Sequence, residues 1–356
     1  MSASIADIIS RFNTGGEFYT SEIIKEGIIN SSYLVTVKCG DRLNKFFLQK
    51  INTGVFTNPY ALADNIDKIC SFQRQNSTQA AALSVIKTMD GRLLCENGGY
   101  WRCLTYIDNT YTIHPTTPNI DFFEAGAGIG KFHRSLLSFP VEELEITIPG
   151  FHDTAARISK LLSAIKSGNQ SRVCEAAEVT EFAESRIPYA TELLRQIGGC
   201  NMPVRVVHND TNLNNILFDK VTGKSVCMID LDTTMPGLLI HDYGDAARHC
   251  LLTMKDKNGS IDFRSLSRLT CGFMSETGDF ITENEFTHFF SGLWLITYEL
   301  GLRFLTDYFE NDVYFRIQNE KDNLNDAKRQ LALLGDIDAN KDEIIEAIKN
   351  YKLANG

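Results

Sequence analysis

The sequence predicts an α+β fold of two lobes, a small mixed β lobe at residues 1–107 and a larger, mainly helical lobe at 108–356. Three observations predict it. Short β-rich runs fill most of the first hundred residues. From about residue 118, apolar residues recur at the spacings of three and four that mark amphipathic helices. A block at 206–233 then interrupts the helices with short strands and a dense set of Asn and Asp residues.

Taken in order, Tyr33-Leu34-Val35-Thr36-Val37 and Lys45-Phe46-Phe47-Leu48-Gln49-Lys50 are β-rich and flank Cys39-Gly40-Asp41, which predicts a hairpin. A helix follows at about 61–73, with Leu62, Ile66, Ile69 and Phe72 on one stripe. Two further strands, near 82–87 and 100–107, flank the turn Met89-Asp90-Gly91. Residues 106–109 are the expected hinge. Residues 121–137 carry Phe122, Ala125, Ile129, Phe132 and Leu136 on one face and predict a long helix. Gly126-Ala127-Gly128-Ile129-Gly130 lies inside that helix rather than after a strand. Its spacing is not Gly-x-Gly-x-x-Gly, so it reads as a close helix–helix approach and not as a nucleotide loop. A small β lobe followed by a large helical one is the layout of the protein-kinase-like fold.

Composition excludes several classes. The 356-residue chain is 43% hydrophobic and carries a formal net charge of −10, from 35 Lys+Arg against 45 Asp+Glu. An acidic balance without a basic run argues against a nucleic-acid partner. The N-terminus lacks the basic and apolar regions of a signal peptide. The most apolar helical stretch, 289–304, is broken by Glu299 and Arg303 and does not reach the ~20 apolar residues of a membrane span. Nine cysteines without a Cys-x-x-Cys pair read as reduced thiols, so a cytoplasmic protein with no membrane partner is expected.

The block at 206–233 carries the chemistry. His208-Asn209-Asp210 through Asn215 reads His-x-Asp-x-x-x-x-Asn, and Ile229-Asp230-Leu231-Asp232 follows a short apolar strand. This order supplies a base, a metal-binding amide and a metal-binding carboxylate, the parts that phosphoryl transfer from a nucleotide requires. Asp210 is the expected general base. Asn215 offers a neutral oxygen and Asp230 a hard carboxylate, a set that suits Mg²⁺. Asp232 either reaches a second metal ion or only holds the loop. His208 reads as a structural hydrogen-bonding residue. Asn212, with Asn209 and Asn214, is expected near phosphate, substrate or backbone. Lys50 is the candidate phosphate-contacting cation. Glu26-Gly27-Ile28-Ile29-Asn30-Ser31-Ser32-Tyr33 lies where such a fold places its phosphate-covering hairpin. It has a single glycine, so any cradle must use backbone N–H groups with Asn30, Ser31 and Ser32.

On these motifs the chain resembles the aminoglycoside phosphotransferase-type kinases, a group that includes choline and sugar kinases. Within that group it is most similar to the bacterial N-acetylhexosamine 1-kinases. The further segments that carry this likeness are Leu48-Gln49-Lys50-Ile51-Asn52-Thr53-Gly54, Phe151-His152-Asp153-Thr154, Thr233-Thr234-Met235-Pro236-Gly237, and Arg303-Phe304-Leu305-Thr306-Asp307-Tyr308 with Asp312-Val313-Tyr314-Phe315. They reach from residue 27 to 315. The resemblance implies Asp210 as base, Mg²⁺ on Asn215 and Asp230, and a sugar near Arg303 and Tyr314. It implies ATP as donor and the anomeric hydroxyl of GlcNAc or GalNAc as acceptor. Two positions depart from the group's pattern: Ile28 stands where His is usual, and Lys50 where Arg is frequent. The alternative is a kinase for an aminoglycoside, choline or another amino alcohol. A non-catalytic binding module is disfavoured because Asp210, Asn215 and Asp230 occur together. A eukaryotic-type protein kinase is disfavoured because Asp-Phe-Gly, Ala-Pro-Glu and a Gly-rich loop are missing.

Overall fold

The computed structural model describes residues 4–24, 29–76, 83–114, 117, 119–254 and 261–351. The first lobe is built on an antiparallel sheet. Its elements are α1 (Ile5–Ile9), β1 (Glu17–Ile24), β2 (Ser31–Cys39), β3 (Arg42–Lys50), α2 (Pro59–Asn76), β4 (Val85–Ile86), β5 (Cys95–Glu96) and β6 (Tyr100–Thr105). The strand order is β1-β2-β3-β6-β4, with β5 also on β6. The expected hairpin is β2–β3, closed at Gly40, whose φ of +61° is a conformation that glycine adopts without steric cost. β1 has no apolar alternation in its sequence for a physical reason: almost every one of its side chains is exposed, so it has no buried face. Of the strand expected near 82–87, Val85 and Ile86 pair with β6; Ala82 lies outside the described residues.

The second half of β3, from Phe46, is buried or half-buried on both faces, and its two faces do different things. Phe46 and Leu48 pack into a small core with Ile8, Phe12, Val35 and Trp101 under α1. Phe47 and Gln49 point the other way, towards the helical lobe. This alternation decides which polar side chain of the strand meets the cleft.

The second lobe starts with β7 (Thr110–Tyr111) and α3 (Phe122–Ser135). Helices α4 (Thr154–Ser167), α5 (Gln170–Glu175), α6 (Ala177–Ser185) and α7 (Ile187–Gly198) lead to β8 (Arg205–Val207), β9 (Ile216–Asp219), β10 (Ser225–Met228) and β11 (Met235–Gly237). The chain ends in α8 (Leu239–Thr253), α9 (Phe263–Thr277), α10 (Glu283–Thr287), α11 (Phe289–Phe309), α12 (Asp322–Ala339) and α13 (Lys341–Lys349). Asp121 caps α3 by accepting from the Phe123 N–H. α3 packs tightly on α9. A Cβ at Gly126 would lie 2.0 Å from the Leu269 carbonyl oxygen, and one at Gly272 1.8 Å from that of Phe123. The glycine run is therefore a helix–helix contact, as its placement in a helical pattern predicts. α11 is the most buried helix, and Trp294, Tyr298, Leu302 and Phe309 lie in the main core. Among the described residues no helix is long and apolar enough to cross a membrane.

Candidate active site

The block at 206–233 folds as two short ladders that bring its loops side by side. β8 pairs with β11, and β9 with β10. The chain after β8 turns through Asn209, at φ +64°, and a 3₁₀ turn at Leu213–Asn215. The chain after β10 turns through Asp230, at φ +60°. Asn and Asp are the non-glycine residues that adopt this left-handed conformation most readily. The loops are stitched together. The Ile229 N–H donates to the Asn215 carbonyl at 2.8 Å, and His208 Nε2 lies 2.9 Å from the Ile229 carbonyl. Thr233 Oγ1 donates to the His208 carbonyl at 2.7 Å, and Asn209 Nδ2 to that of Thr233 at 2.8 Å. His208 is wholly buried and ties the two loops, as a structural histidine would.

α8 anchors the Asp210 loop from below. Asp242 is fully buried and accepts from the backbone N–H groups of His208 and Asn209, both at 2.7 Å. His133 Nε2 lies 3.0 Å from the same carboxylate, off the line of a well-formed hydrogen bond. Burial pushes the Asp242 carboxyl up, but the contacts with His133 and His208 outweigh it and hold it below the ordinary value. Thr211 Oγ1 donates to the Asp242 carbonyl at 2.6 Å, and the Leu213 N–H donates to His249 Nδ1 at 3.0 Å. Burial, then the neighbouring Arg248, push His249 down to about 4. It is thus neutral near pH 7 and able to accept there. Asn212 Nδ2 donates to Asp210 Oδ1, and Arg248 Nη2 donates to Asn212 Oδ1 at 2.7 Å, which fixes the amide's orientation. One Asp210 oxygen is therefore committed to Asn212.

Three carboxylates meet in the cleft at Asp210, Asp230 and Asp232. Burial, then Asp245, push Asp210 up. Burial, then Asp232 and Asp210, push Asp230 up to about 7. At Asp230 these effects outweigh the opposing Arg102 guanidinium, and at Asp210 they outweigh His208, Asn212 and Arg248. Asn215 Nδ2 donates to the Asp210 carbonyl at 3.0 Å, which leaves its oxygen as the group that could face a cation. No cluster of three or more His, Cys, Asp or Glu able to hold a metal exists among the described residues. One carboxylate plus one amide oxygen is nevertheless the donor set of a Mg²⁺ ion that takes its remaining ligands from phosphates and water.

Asp232 is already engaged. Arg102 Nη1 lies 2.5 Å from its Oδ1, an ion pair whose N–H does not point along the contact, and Asn30 Nδ2 donates to Oδ2 at 2.6 Å. Asn30 Oδ1 accepts from the Asn52 N–H at 2.9 Å. Of the two roles expected for Asp232, these contacts are of the kind that holds the loop, and they tie the first lobe to the loop of Asp230 and Asp232. Arg102, on β6, donates to Gln49 Oε1 through Nε at 2.9 Å and Nη2 at 2.5 Å. Gln49 Nε2 donates to Ser32 Oγ at 3.0 Å. Asn30, Ser32 and Gln49 line the cleft. Lys50 does not. It follows Leu48 on the opposite face of β3, with Nζ 5.8 Å from the Trp101 ring centroid. Ser31 is exposed and lies outside the cleft lining for the same reason of alternation. Gly27 and Ile28 lie outside the described residues.

The far wall of the cleft, whose volume is about 1130 Å³, carries Arg303 and Tyr314. Arg303 Nη2 donates to the Tyr314 hydroxyl at 3.4 Å, and its guanidinium stands 5.2–5.5 Å from the ring centroids of Phe151, Tyr314 and Phe315. His152 spans from Glu299 Oε1, 3.3 Å from Nδ1, to the Asn209 carbonyl, 3.2 Å from Nε2. It thereby links this wall to the Asp210 loop. Sequence reading missed Arg102, Gln49, Asp242, Asp245, Arg248 and His152. Asp242, Asp245 and Arg248 had a signal: charges at spacings of three on one face of a helix rich in apolar residues. Arg102 had none, because only the fold brings β6 to Asp232.

A two-lobe α+β fold with this cleft between a β sheet and a helical lobe defines the kinase-like class. The comparisons narrow it. Residues 20–256 match the APH phosphotransferase enzyme family, and the chain belongs to it. Solved structures share the fold at low identity. An ethanolamine kinase from Plasmodium vivax has a TM-score of 0.57 at 15% identity, covering 89% of this chain and 82% of its own. A spectinomycin phosphotransferase in complex with ADP and spectinomycin has a TM-score of 0.55 at 14% identity, with 98% and 97% covered. An aminoglycoside phosphotransferase from Alicyclobacillus acidocaldarius has 0.60 at 12%, with 99% and 98% covered.

Proposed function

We propose that the protein is an ATP-dependent kinase that phosphorylates the anomeric hydroxyl of an N-acetylhexosamine, GlcNAc or GalNAc, to give the sugar 1-phosphate. One observation carries the choice of acceptor. A choline-like ammonium is recognised by aromatic faces. Here the faces of Phe151, Tyr314 and Phe315 are taken by the protein's own Arg303. Arg303 offers N–H donors and a positive charge. That suits an oxygen-rich neutral acceptor with an amide carbonyl, and repels a cation. A second reading, a kinase for an amino alcohol or aminoglycoside, draws support from the carboxylates Asp245 and Asp326 in the same cleft. The ethanolamine and spectinomycin kinases of the same fold also favour it. ATP as donor is supported by the family and by the ADP bound in the spectinomycin enzyme.

In this reading Asp210 accepts the proton of the acceptor hydroxyl on the oxygen that Asn212 leaves free. His208, Asp242 and Thr233 hold the loop that aims it. Asp230 and Asn215 would hold Mg²⁺, which neutralises charge on the phosphate oxygens. Asp232, Arg102 and Asn30 fix the metal-side loop against the first lobe. Arg303 and Tyr314 orient the acceptor. The test is a screen of free sugars, choline, ethanolamine and aminoglycosides for acceptor-dependent ADP release, with the phosphate position read by ³¹P NMR. GlcNAc or GalNAc phosphorylated at O1 supports the proposal. Release driven only by an amino alcohol or aminoglycoside rejects it in favour of the second reading.

A further inference from the structure

We propose that Asp245 binds the acceptor: its free carboxylate oxygen takes a hydrogen bond from the donor group next to the hydroxyl that Asp210 activates. The proposal rests on the assignment of Asp210 as base and deepens the reading of the cleft as an acceptor site. Asp245 lies on α8, one turn after Asp242, and lines the cleft although only 6% exposed. Its two oxygens differ. Oδ1 accepts from Arg248 twice, from Nε at 2.9 Å and from Nη2 at 2.7 Å. Oδ2 is buried and has no hydrogen-bond partner among the described residues.

A buried carboxylate oxygen left unsatisfied costs more than an ordinary hydrogen bond contributes, so native proteins rarely retain one without use. Arg248 does not account for it, because Oδ1 alone serves that guanidinium. Stability at Asp210 does not account for it either. The Asp245 charge disfavours the ionised base, since like charges oppose each other. Asp245 is also held in register with the base through one chain of contacts. Arg248 bonds both Asp245 Oδ1 and Asn212 Oδ1, and Asn212 bonds Asp210. An unpartnered oxygen on a carboxylate tied to the base through Arg248 and Asn212, and able only to accept, fits an N–H or O–H on the carbon adjacent to the reacting one. In an N-acetylhexosamine reacting at O1, that donor is the acetamido N–H at C2. In an amino alcohol it is the ammonium.

The test is Asp245→Asn. This variant keeps Oδ1 for Arg248 and turns the free acceptor into a donor. With GlcNAc, the acceptor KM rises at least about tenfold, kcat stays within about threefold, and the KM for ATP within about twofold. A thermal melt within a few degrees of wild type shows that the fold is retained. A second measurement needs no variant. GlcNAc methylated on the acetamido nitrogen keeps the carbonyl and loses the N–H, so the wild-type enzyme loses affinity for it by a similar factor. In the variant the two losses do not add. If GlcNAc is turned over and Asp245→Asn keeps the wild-type acceptor KM, the Asp245 proposal is overturned while the sugar reading stands. If sugars are not turned over but ethanolamine is, the sugar reading fails. Asp245 is then judged by the same KM with ethanolamine, where an unchanged value overturns it and a tenfold rise upholds it.

Discussion

The two walls of the cleft are held by different physics. The wall with Asp210, Asn215 and Asp230 is tied down by buried groups: Asp242, fully enclosed, holds two backbone N–H groups, and His208 bridges both loops. The wall with Arg303 and Tyr314 closes through a surface segment, and Tyr314 is 45% exposed. Its order comes from one buried carboxylate, Asp307, which accepts from the N–H groups of Val313, Tyr314 and Phe315 at 2.7–2.9 Å and from Asn323 Nδ2 at 2.8 Å. The first wall cannot change without breaking buried hydrogen bonds. The second offers exposed side chains on a fixed backbone. Under the proposed function, a cleft built this way would keep one reaction while the wall assigned to the acceptor is free to vary.

That contrast can be broken at several points. Asp230→Ala removes the one carboxylate of the Asp230–Asp232 loop that has no hydrogen-bond partner among the described residues; if it holds the metal as proposed, turnover vanishes, because phosphate charge then lacks its bridging cation. Titration of activity with Mg²⁺ checks this, and a wild-type curve would remove Asp230 from the ligands. Asn215→Ala, deleting the neutral ligand proposed above, is expected to shift the same curve to higher Mg²⁺ with activity retained at saturation. Asp210→Asn preserves the contact with Asn212 and deletes the proton acceptor. Turnover falls about 10²–10⁴-fold, the range of general acid–base catalysis, with ATP affinity nearly unchanged. Arg303→Met keeps much of the packing against Phe151 and Phe315 and loses the donors. Acceptor KM rises roughly 10–100-fold, as expected for a hydrogen bond to a charged group worth about 1.5–3 kcal/mol, while the KM for ATP holds. Lys50→Met gives the smallest effect. Its ammonium packs over Trp101 away from the cleft, so the KM for ATP stays within about twofold, and a tenfold rise would return Lys50 to the phosphates.

How much of this was legible in the sequence follows the same division. The β2–β3 hairpin and α3 could be read because alternation and helical stripes report burial directly. β1 could not, since its exposed faces leave no pattern. The spacing of Asp210, Asn215 and Asp230 placed them together because a short ladder joins them within one stretch of chain. Composition marks β3 as a strand without saying which face meets the cleft; Phe47 and Gln49 hold that face, and Lys50 lies on the other. Asp232 was readable as acidic, but its partners, Asn30 and Arg102, lie more than a hundred residues away. Buried polar partners of this kind are fixed by tertiary structure and leave no local trace.

The most direct test of the division between a chemical wall and an acceptor wall is one set of steady-state kinetics with GlcNAc, run on Asp210→Asn and Arg303→Met side by side. Asp210→Asn should lose kcat by at least about a hundredfold and keep the sugar KM. Arg303→Met should raise the sugar KM at least about tenfold and keep kcat within a few-fold. If both variants move the same parameter, the two walls do not have the separate roles assigned to them.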